Sequence, residues 1–301
     1  MINSIFQNDL VAPGHMGCPG CGPALAMRYV LDVLGPETMV VMPAGCWSTF
    51  VGLYPGTTLR VPAMSVPFAT TAATASGVRA SLDRQGRQDV TVLAWAGDGG
   101  TFDIGLQALS GAAERGANII YICYDNEAYM NTGIQRSSAT PAGSWTTTTP
   151  FGALKKEPKK NIVEIMAAHK IPYVASASMG HPHDLMAKVR KAKDMTGTRF
   201  IHLLASCPTG WRYESQLTLE VARKAVECRV FPLFEVFGGI RWVLNPMPAK
   251  APVDEYLDLQ GRFKGLTKAG RAEFQEWVDM EWDRIEKKSQ PQHACEPGIL
   301  G

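Results

Sequence analysis

Two groups of residues in this sequence carry chemistry by type and spacing. The first is Asp98, within Gly97-Asp98-Gly99-Gly100, with Asn126 following 28 positions later in Asp125-Asn126. Each lies just beyond an apolar run that reads as a buried strand, over 90–96 and 118–124. In an open α/β sheet, ligands collect beyond the carboxyl ends of the strands. Two hard oxygen donors on adjacent strand ends can meet around one small cation. Mg²⁺ accepts such donors and takes the rest of its octahedron from phosphate and water. Gly97, Gly99 and Gly100 allow the backbone close to a phosphate. A helix expected over about 103–115 points its free N–H groups and positive dipole end the same way. The assembly is a diphosphate–Mg²⁺ site. A lone Gly-Asp-Gly is also an ordinary strand–turn–helix connection; the Asn at the end of the next strand separates the two readings.

The second group is cysteine. Seven are present, an odd number in a chain of 301 residues, so metal ligation or buried thiols fit better than a disulfide framework. Cys18 and Cys21 form a Cys-x₂-Cys pair in a Gly/Pro loop. Cys46 follows a strand in the turn 43–46, and Cys207 follows another in Ser206-Cys207-Pro208. Such thiolates suit a structural zinc or an iron–sulfur cluster, and spacing alone leaves these two level. A thioredoxin-like dithiol is weaker, because the usual flanking pattern is missing. Cys123, inside a strand, and Cys228, at a helix end, read as inert core thiols. Cys295 lies in the tail and receives no role.

The elements that must position these residues alternate. Helices are expected over 24–34 (with Pro23 at a first helical position), 70–82, 161–169 and 183–194, and strands over 39–42, 173–177 and 199–205. This order predicts an α/β fold with a doubly wound, mostly parallel sheet. Helices over 214–228 and 268–288 follow, separated by a stretch without clear period. The division expected is a cofactor-binding domain over 1–230 and a C-terminal extension over 231–301 for subunit contacts. A net charge of +2 and a pI near 8.1 give no hint of nucleic acid or a membrane surface. No run is long enough to span a bilayer and no leader pattern is seen, which reads as cytoplasmic.

The first group resembles the thiamine diphosphate motif: Gly-Asp-Gly, a helix, a strand, then Asn-Asn, with Asp125-Asn126 standing for the last pair. With the cysteines added, the resemblance sharpens. Gly14-His15 to Gly22, Gly97 to Gly105, Tyr124 to Gly133 and Ser206 to Trp211 are similar to stretches of the 2-oxoacid:ferredoxin oxidoreductases, specifically the β subunit of the pyruvate enzymes. The likeness covers about residues 10–230 and implies a thiamine diphosphate-binding, pyrophosphate-type fold.

It also implies the following. Asp98, Asn126 and the Ala128 carbonyl hold Mg²⁺ on the diphosphate. Gly45, Cys46, Gly97, Gly99 and Gly100 lie against the cofactor. Cys18, Cys21, Cys46 and Cys207 hold a 4Fe–4S cluster, and Asn131 stands near the reacting carbon. The activity implied is oxidative decarboxylation of a 2-oxo acid, pyruvate first, with oxalate, phenylglyoxylate and branched 2-oxo acids as alternatives. Electrons leave singly through the cluster to ferredoxin, and in most cases coenzyme A takes the acyl group. A partner α subunit supplies the carboxylate for the aminopyrimidine ring, and ferredoxin-like γ and δ subunits or domains carry electrons onward. Rival readings are a non-redox thiamine decarboxylase or synthase component and a zinc-stabilised binding module. Among remaining features, His15 reads as a loop residue and His181 and His183 as caps or surface groups. The lysines of 155–160 read as a solvated loop, and Trp277 and Trp282 as packing groups.

Overall fold

The computed structural model describes residues 6–53 and 55–290; Cys295 and the end of the tail lie outside them. Eight strands form one sheet: β1 Thr38–Pro43, β2 Ala63–Val66, β3 Thr91–Gly97, β4 Ile120–Asp125, β5 Tyr173–Ser178, β6 Arg199–Leu204, β7 Phe234–Phe237 and β8 Arg241–Leu244. Their order across the sheet is β2-β1-β3-β4-β6-β5-β7-β8. The first six run parallel; β7 pairs antiparallel with β5, and β8 with β7. The chain steps outward from β1 to β2 and returns on the other side of β1 as β3. The carboxyl ends of β1 and β3 therefore flank a topological switch point, where open α/β sheets bind ligands.

Among the described residues, ten α-helices accompany the sheet: α1 Gly22–Leu34, α2 Cys46–Val51, α3 Thr71–Arg84, α4 Leu106–Glu114, α5 Ile162–Ala168, α6 Pro182–Asp194, α7 Pro208–Trp211, α8 Thr218–Glu227, α9 Asp254–Leu257 and α10 Lys268–Ser289. The central strands are apolar on both faces because both are covered. In β3, Leu93 and Trp95 join a core with α1 and α6, while Val92, Ala94 and Ala96 join a second core with α3, α4 and α5. A third core joins Trp211 and α8 to Phe231, Tyr256, Phe263, Phe274 and Val278 from the C-terminal segment.

The expected helices and parallel strands form within a few residues of their expected limits. Three differences bear on the site. The helix expected from about residue 103 is preceded by a wide helical turn, Gly99–Asp103, that begins immediately after Asp98. Cys46 opens the short helix α2 rather than sitting in a plain turn. The stretch without period holds β7 and β8, which extend the same sheet.

Candidate functional site

Four neighbouring strands, β1, β3, β4 and β6, deliver Cys46, Asp98, Asn126 and Cys207 from their carboxyl ends in that order. Asp98 is fully buried. Burial raises its pKa well above the usual carboxylate range, and nearby Asp125 pushes it further. A 2.5 Å hydrogen bond donated by the Ser137 hydroxyl offsets part of this. The end of the Asn126 amide lies 3.0 Å from Asp98 Oδ1 and 3.1 Å from the Ala128 carbonyl oxygen. With its NH₂ turned there, the amide donates to both. With its oxygen there, three oxygens face one another and call for a cation between them. The donor set is hard, oxygen-only and compact, and it fits Mg²⁺.

Asp98, Asn126 and Ala128 line a cavity of about 310 Å³. Its other walls include Gly45, Cys46, Gly97, Gly99, Gly100, Phe68, Tyr124, Tyr129, Met130, Asn131 and Thr132. All the residues expected against the cofactor are thus brought to one cavity. Gly99 has no room for a side chain, since a Cβ there would lie 2.5 Å from the Tyr129 ring. Gly45 adopts φ +150°, a conformation that favours glycine. Asn131 is exposed at the rim.

The cysteine loops meet on the far side of Cys46. The Gly22 N–H donates to the Ser206 carbonyl (3.2 Å), joining the Cys18–Cys21 loop to the Cys207 loop. Burial pushes the Cys46 thiol up to about 12, with further upward contributions from Cys207, Cys21, Cys18 and Asp98. Burial likewise raises Cys21 to about 11, and the backbone N–H of Ala24 only partly offsets this. Cys207 is also raised by burial, although Gly210 N–H points at its sulfur from 3.4 Å. Among the described residues, no three His, Cys, Asp or Glu side chains converge as on a single metal ion. Soft thiols on three loops, two of them joined by the Gly22–Ser206 bond, fit a multi-iron cluster that would supply positive charge to each thiolate.

Several residues at the site went unassigned in the sequence. Asp125 accepts from Lys159 Nζ (2.5 Å) and His202 Nε2 (2.7 Å). Burial would raise its pKa, but these partners bring it down to about 2. Glu127 is clamped by Lys159 and by Arg262, each 2.7 Å away. Trp211 Nε1 donates to the Asn126 carbonyl (2.8 Å). Trp211 and Glu127 stood inside the matching stretches, but their partners are distant in sequence. The solvated-loop reading of 155–160 fails at Lys155 and Lys159. Lys155 is 3% exposed, with Nζ donating to Thr140 and Pro158 carbonyls, and the side chain of Lys159, 13% exposed, is held in ion pairs with Asp125 and Glu127.

Residues 43–203 match a family model described as thiamine pyrophosphate enzyme, C-terminal TPP binding domain. Pyruvate synthase subunit PorB of Methanothermobacter thermautotrophicus is 52% identical over 279 residues, covering 91% of this chain and 96% of that protein. The chain belongs to the β-subunit family of the 2-oxoacid:ferredoxin oxidoreductases. Ketoisovalerate oxidoreductase subunit VorB of Pyrococcus horikoshii is 48% identical, covering 94% of each chain. A solved 2-oxoglutarate:ferredoxin oxidoreductase from Magnetococcus marinus shares the fold, with TM-score 0.57 and 22% identity over 73% of this chain and 82% of that one. Members of this family are thiamine-dependent enzymes, which sets aside the reading as a zinc-stabilised binding module.

Proposed function

We propose that this chain holds the diphosphate end of thiamine diphosphate, with Mg²⁺, and a 4Fe–4S cluster beside it, in a complex that oxidatively decarboxylates a 2-oxo acid, pyruvate being the first candidate. The observation that carries this is the double position of Cys46. It lines the same cavity as Asp98, Asn126 and Ala128, and it opens α2, whose Phe50 packs with ring centroids 4.4 Å from His15 in the loop that carries Cys18 and Cys21.

When bound, thiamine diphosphate supplies the electron sink for decarboxylation and the cluster takes electrons one at a time. The chain's own residues do the rest. Asp98, the Asn126 amide oxygen and the Ala128 carbonyl hold the cation, and Ser137 fixes the Asp98 carboxylate by its hydrogen bond. Gly99 and Gly100 line the cavity and offer backbone to the diphosphate, with the Tyr129 ring packed where a Gly99 side chain would stand. Phe68, Tyr129 and Met130 keep water from the cavity wall. Asn131 and Thr132, at the rim, are placed to orient a 2-oxo acid. Cys18 is exposed whereas Cys46 lines the cavity, so the four thiols lead from cavity to surface, toward a ferredoxin-like partner.

The test is anaerobic purification of the native complex and assay on pyruvate, 2-oxoisovalerate, 2-oxoglutarate, oxalate and phenylglyoxylate, with and without coenzyme A. We expect brown, iron-containing protein, bound thiamine diphosphate, and coenzyme A-dependent oxidation fastest with pyruvate. Cys46→Ala should retain thiamine diphosphate and lose electron transfer to ferredoxin. Colourless protein without iron would sink the cluster assignment, and a different preferred acid would replace pyruvate.

A further inference from the structure

Glu127 stands between Asn126 and Ala128 and is held in a conformation its side chain does not favour, with φ +64°. A non-glycine residue in the left-handed region is strained and persists only where its surroundings over-determine it. Those surroundings are explicit. The Glu127 N–H donates to Asp125 Oδ1 (2.9 Å), and its carbonyl accepts from the Thr140 hydroxyl (2.7 Å). Its carboxylate is 3% exposed, with Lys159 Nζ 2.7 Å from Oε1 and Arg262 Nη2 2.7 Å from Oε2.

Arg262 grips the same loop a second way. Its guanidinium lies 3.9 Å from the Trp211 ring, and Trp211 donates its indole N–H to the Asn126 carbonyl. Arg262 is itself fixed. It is 2% exposed, donates from Nε to Gln260 Oε1 (2.9 Å), and donates from Nη2 to the Tyr256 hydroxyl (3.0 Å). The left-handed turn at Glu127 brings the Asn126 amide within 3.1 Å of the Ala128 carbonyl. An extended residue there would separate the two oxygens.

We propose that Arg262 and Lys159 are positioning residues of the cation site, acting through Glu127. Neither lines the cavity. They hold the turn that makes two of the three oxygen donors converge, and one of them comes from the C-terminal segment, which carries none of the recognised motifs. Outer groups that orient metal ligands change metal affinity by about 10- to 100-fold when removed.

The inference rests on the Mg²⁺–thiamine diphosphate reading, and the experiment keeps the two apart. The complete complex is purified, stripped of Mg²⁺ and thiamine diphosphate, and titrated with Mg²⁺ at fixed thiamine diphosphate. Cofactor binding is read by tryptophan fluorescence and calorimetry, independently of turnover. Arg262→Met should raise the Mg²⁺ concentration at half-saturation by about tenfold or more. Iron content and the KM for the 2-oxo acid of protein saturated with Mg²⁺ should stay unchanged. Arg262→Lys, which keeps the charge but not the planar fork, should fall between. Glu127→Asp keeps the charge and shortens the arm, so it should lower Mg²⁺ affinity in the same way and decides the matter if Arg262→Met does not fold. Variants with lowered thermal stability but wild-type Mg²⁺ half-saturation overturn the proposal, as does failure of both Arg262→Met and Glu127→Asp to assemble, which would confine the residues to the fold. Wild-type complex that binds thiamine diphosphate without regard to Mg²⁺ overturns the underlying reading instead.

Discussion

Asp98 and Asp125 are buried carboxylates close enough to repel, and their surroundings drive them apart. Asp125 is paired directly with Lys159 and bonded to His202, whereas Asp98 has the Ser137 hydroxyl as its main offset to burial and feels Lys159 only at longer range. Asp98 is therefore the carboxylate with the weaker offset to burial, and the proposed Mg²⁺ would supply the positive charge it lacks. Asp98→Asn should abolish the rise in melting temperature that Mg²⁺ with thiamine diphosphate gives the wild type. It should leave the metal-free melting temperature unchanged or higher, since it removes a repulsion. Differential scanning calorimetry with and without both ligands reads this, and a retained ligand-induced rise counts against the assignment. His202 gives a pH dependence. Burial lowers its pKa below the ordinary 6.5, and the Asp125 bond only partly restores it. As pH falls below 6.5 the unfolded chain binds a proton there that the folded chain refuses, so stability declines. Asp125, with its pKa down to about 2, keeps its contribution until the pH falls below the ordinary carboxylate value of 3.8. The limb just below pH 6.5 thus contains the histidine. His15 and His181, also shifted down, share it. His202→Gln, which can still donate to Asp125, should flatten that limb relative to wild type in urea titrations at stepped pH. Parallel curves would show that His202 does not titrate there.

At the scale of elements, the site is a row of strand ends with two loops tied across it. The row was legible because apolar runs of strand length, each followed by glycine or a polar pair, are local signals. Asp98, Asn126 and the cysteines were legible because their chemistry is rare and their spacing is fixed by βαβ geometry. Glu127, Lys159 and Arg262 were not, because a buried charge with partners 32 and 135 positions away looks like any surface charge in one dimension. β7 and β8 were hidden for a related reason. Their antiparallel pairing at the sheet edge leaves short runs without the length or continuity of a buried parallel strand. The tie between the cysteine loops rests on Gly22, where a Cβ would lie 2.4 Å from the Ser206 carbonyl oxygen and 2.6 Å from Met179 Sδ. Backbone next to Cys207 cannot yield without moving that thiol. Gly22→Ala should lower the iron bound by this chain, because the cluster thiols would no longer be held in register. It should spare Mg²⁺-dependent thiamine diphosphate binding, which depends on β3 and β4. Equal loss of both would mean that the joint supports the whole domain, and wild-type iron would mean that it is not needed.

For the whole molecule, the question is what the 231–290 segment and the open cavity mouth demand. The segment gives Phe231, Leu233, Phe234, Val236, Tyr256 and Phe263 to buried core. Six such side chains contribute on the order of 10 kcal/mol, comparable to the entire net stability of a domain at about 5–15 kcal/mol. A chain ending at residue 230 should therefore be insoluble or lack cooperative melting, and a cooperatively folded, Mg²⁺-binding fragment would show that the segment is an accessory. No helix of the described residues is long and apolar enough to cross a membrane. The cavity points to a second requirement. Asp98 is the one carboxylate among its lining residues, and the cation reading commits it to the metal. Thiamine catalysis needs another carboxylate on the aminopyrimidine, so the proposed function predicts that a partner chain supplies it, at the cavity mouth lined by Asn131 and Thr132. The isolated chain should then bind thiamine diphosphate with Mg²⁺ weakly and give no measurable oxidation of any 2-oxo acid, and added partner subunit should tighten binding and restore turnover together. Full oxidation by the chain alone would mean that the active site is complete without a partner. Tight binding without turnover would assign the partner the chemistry but not the closure of the cavity.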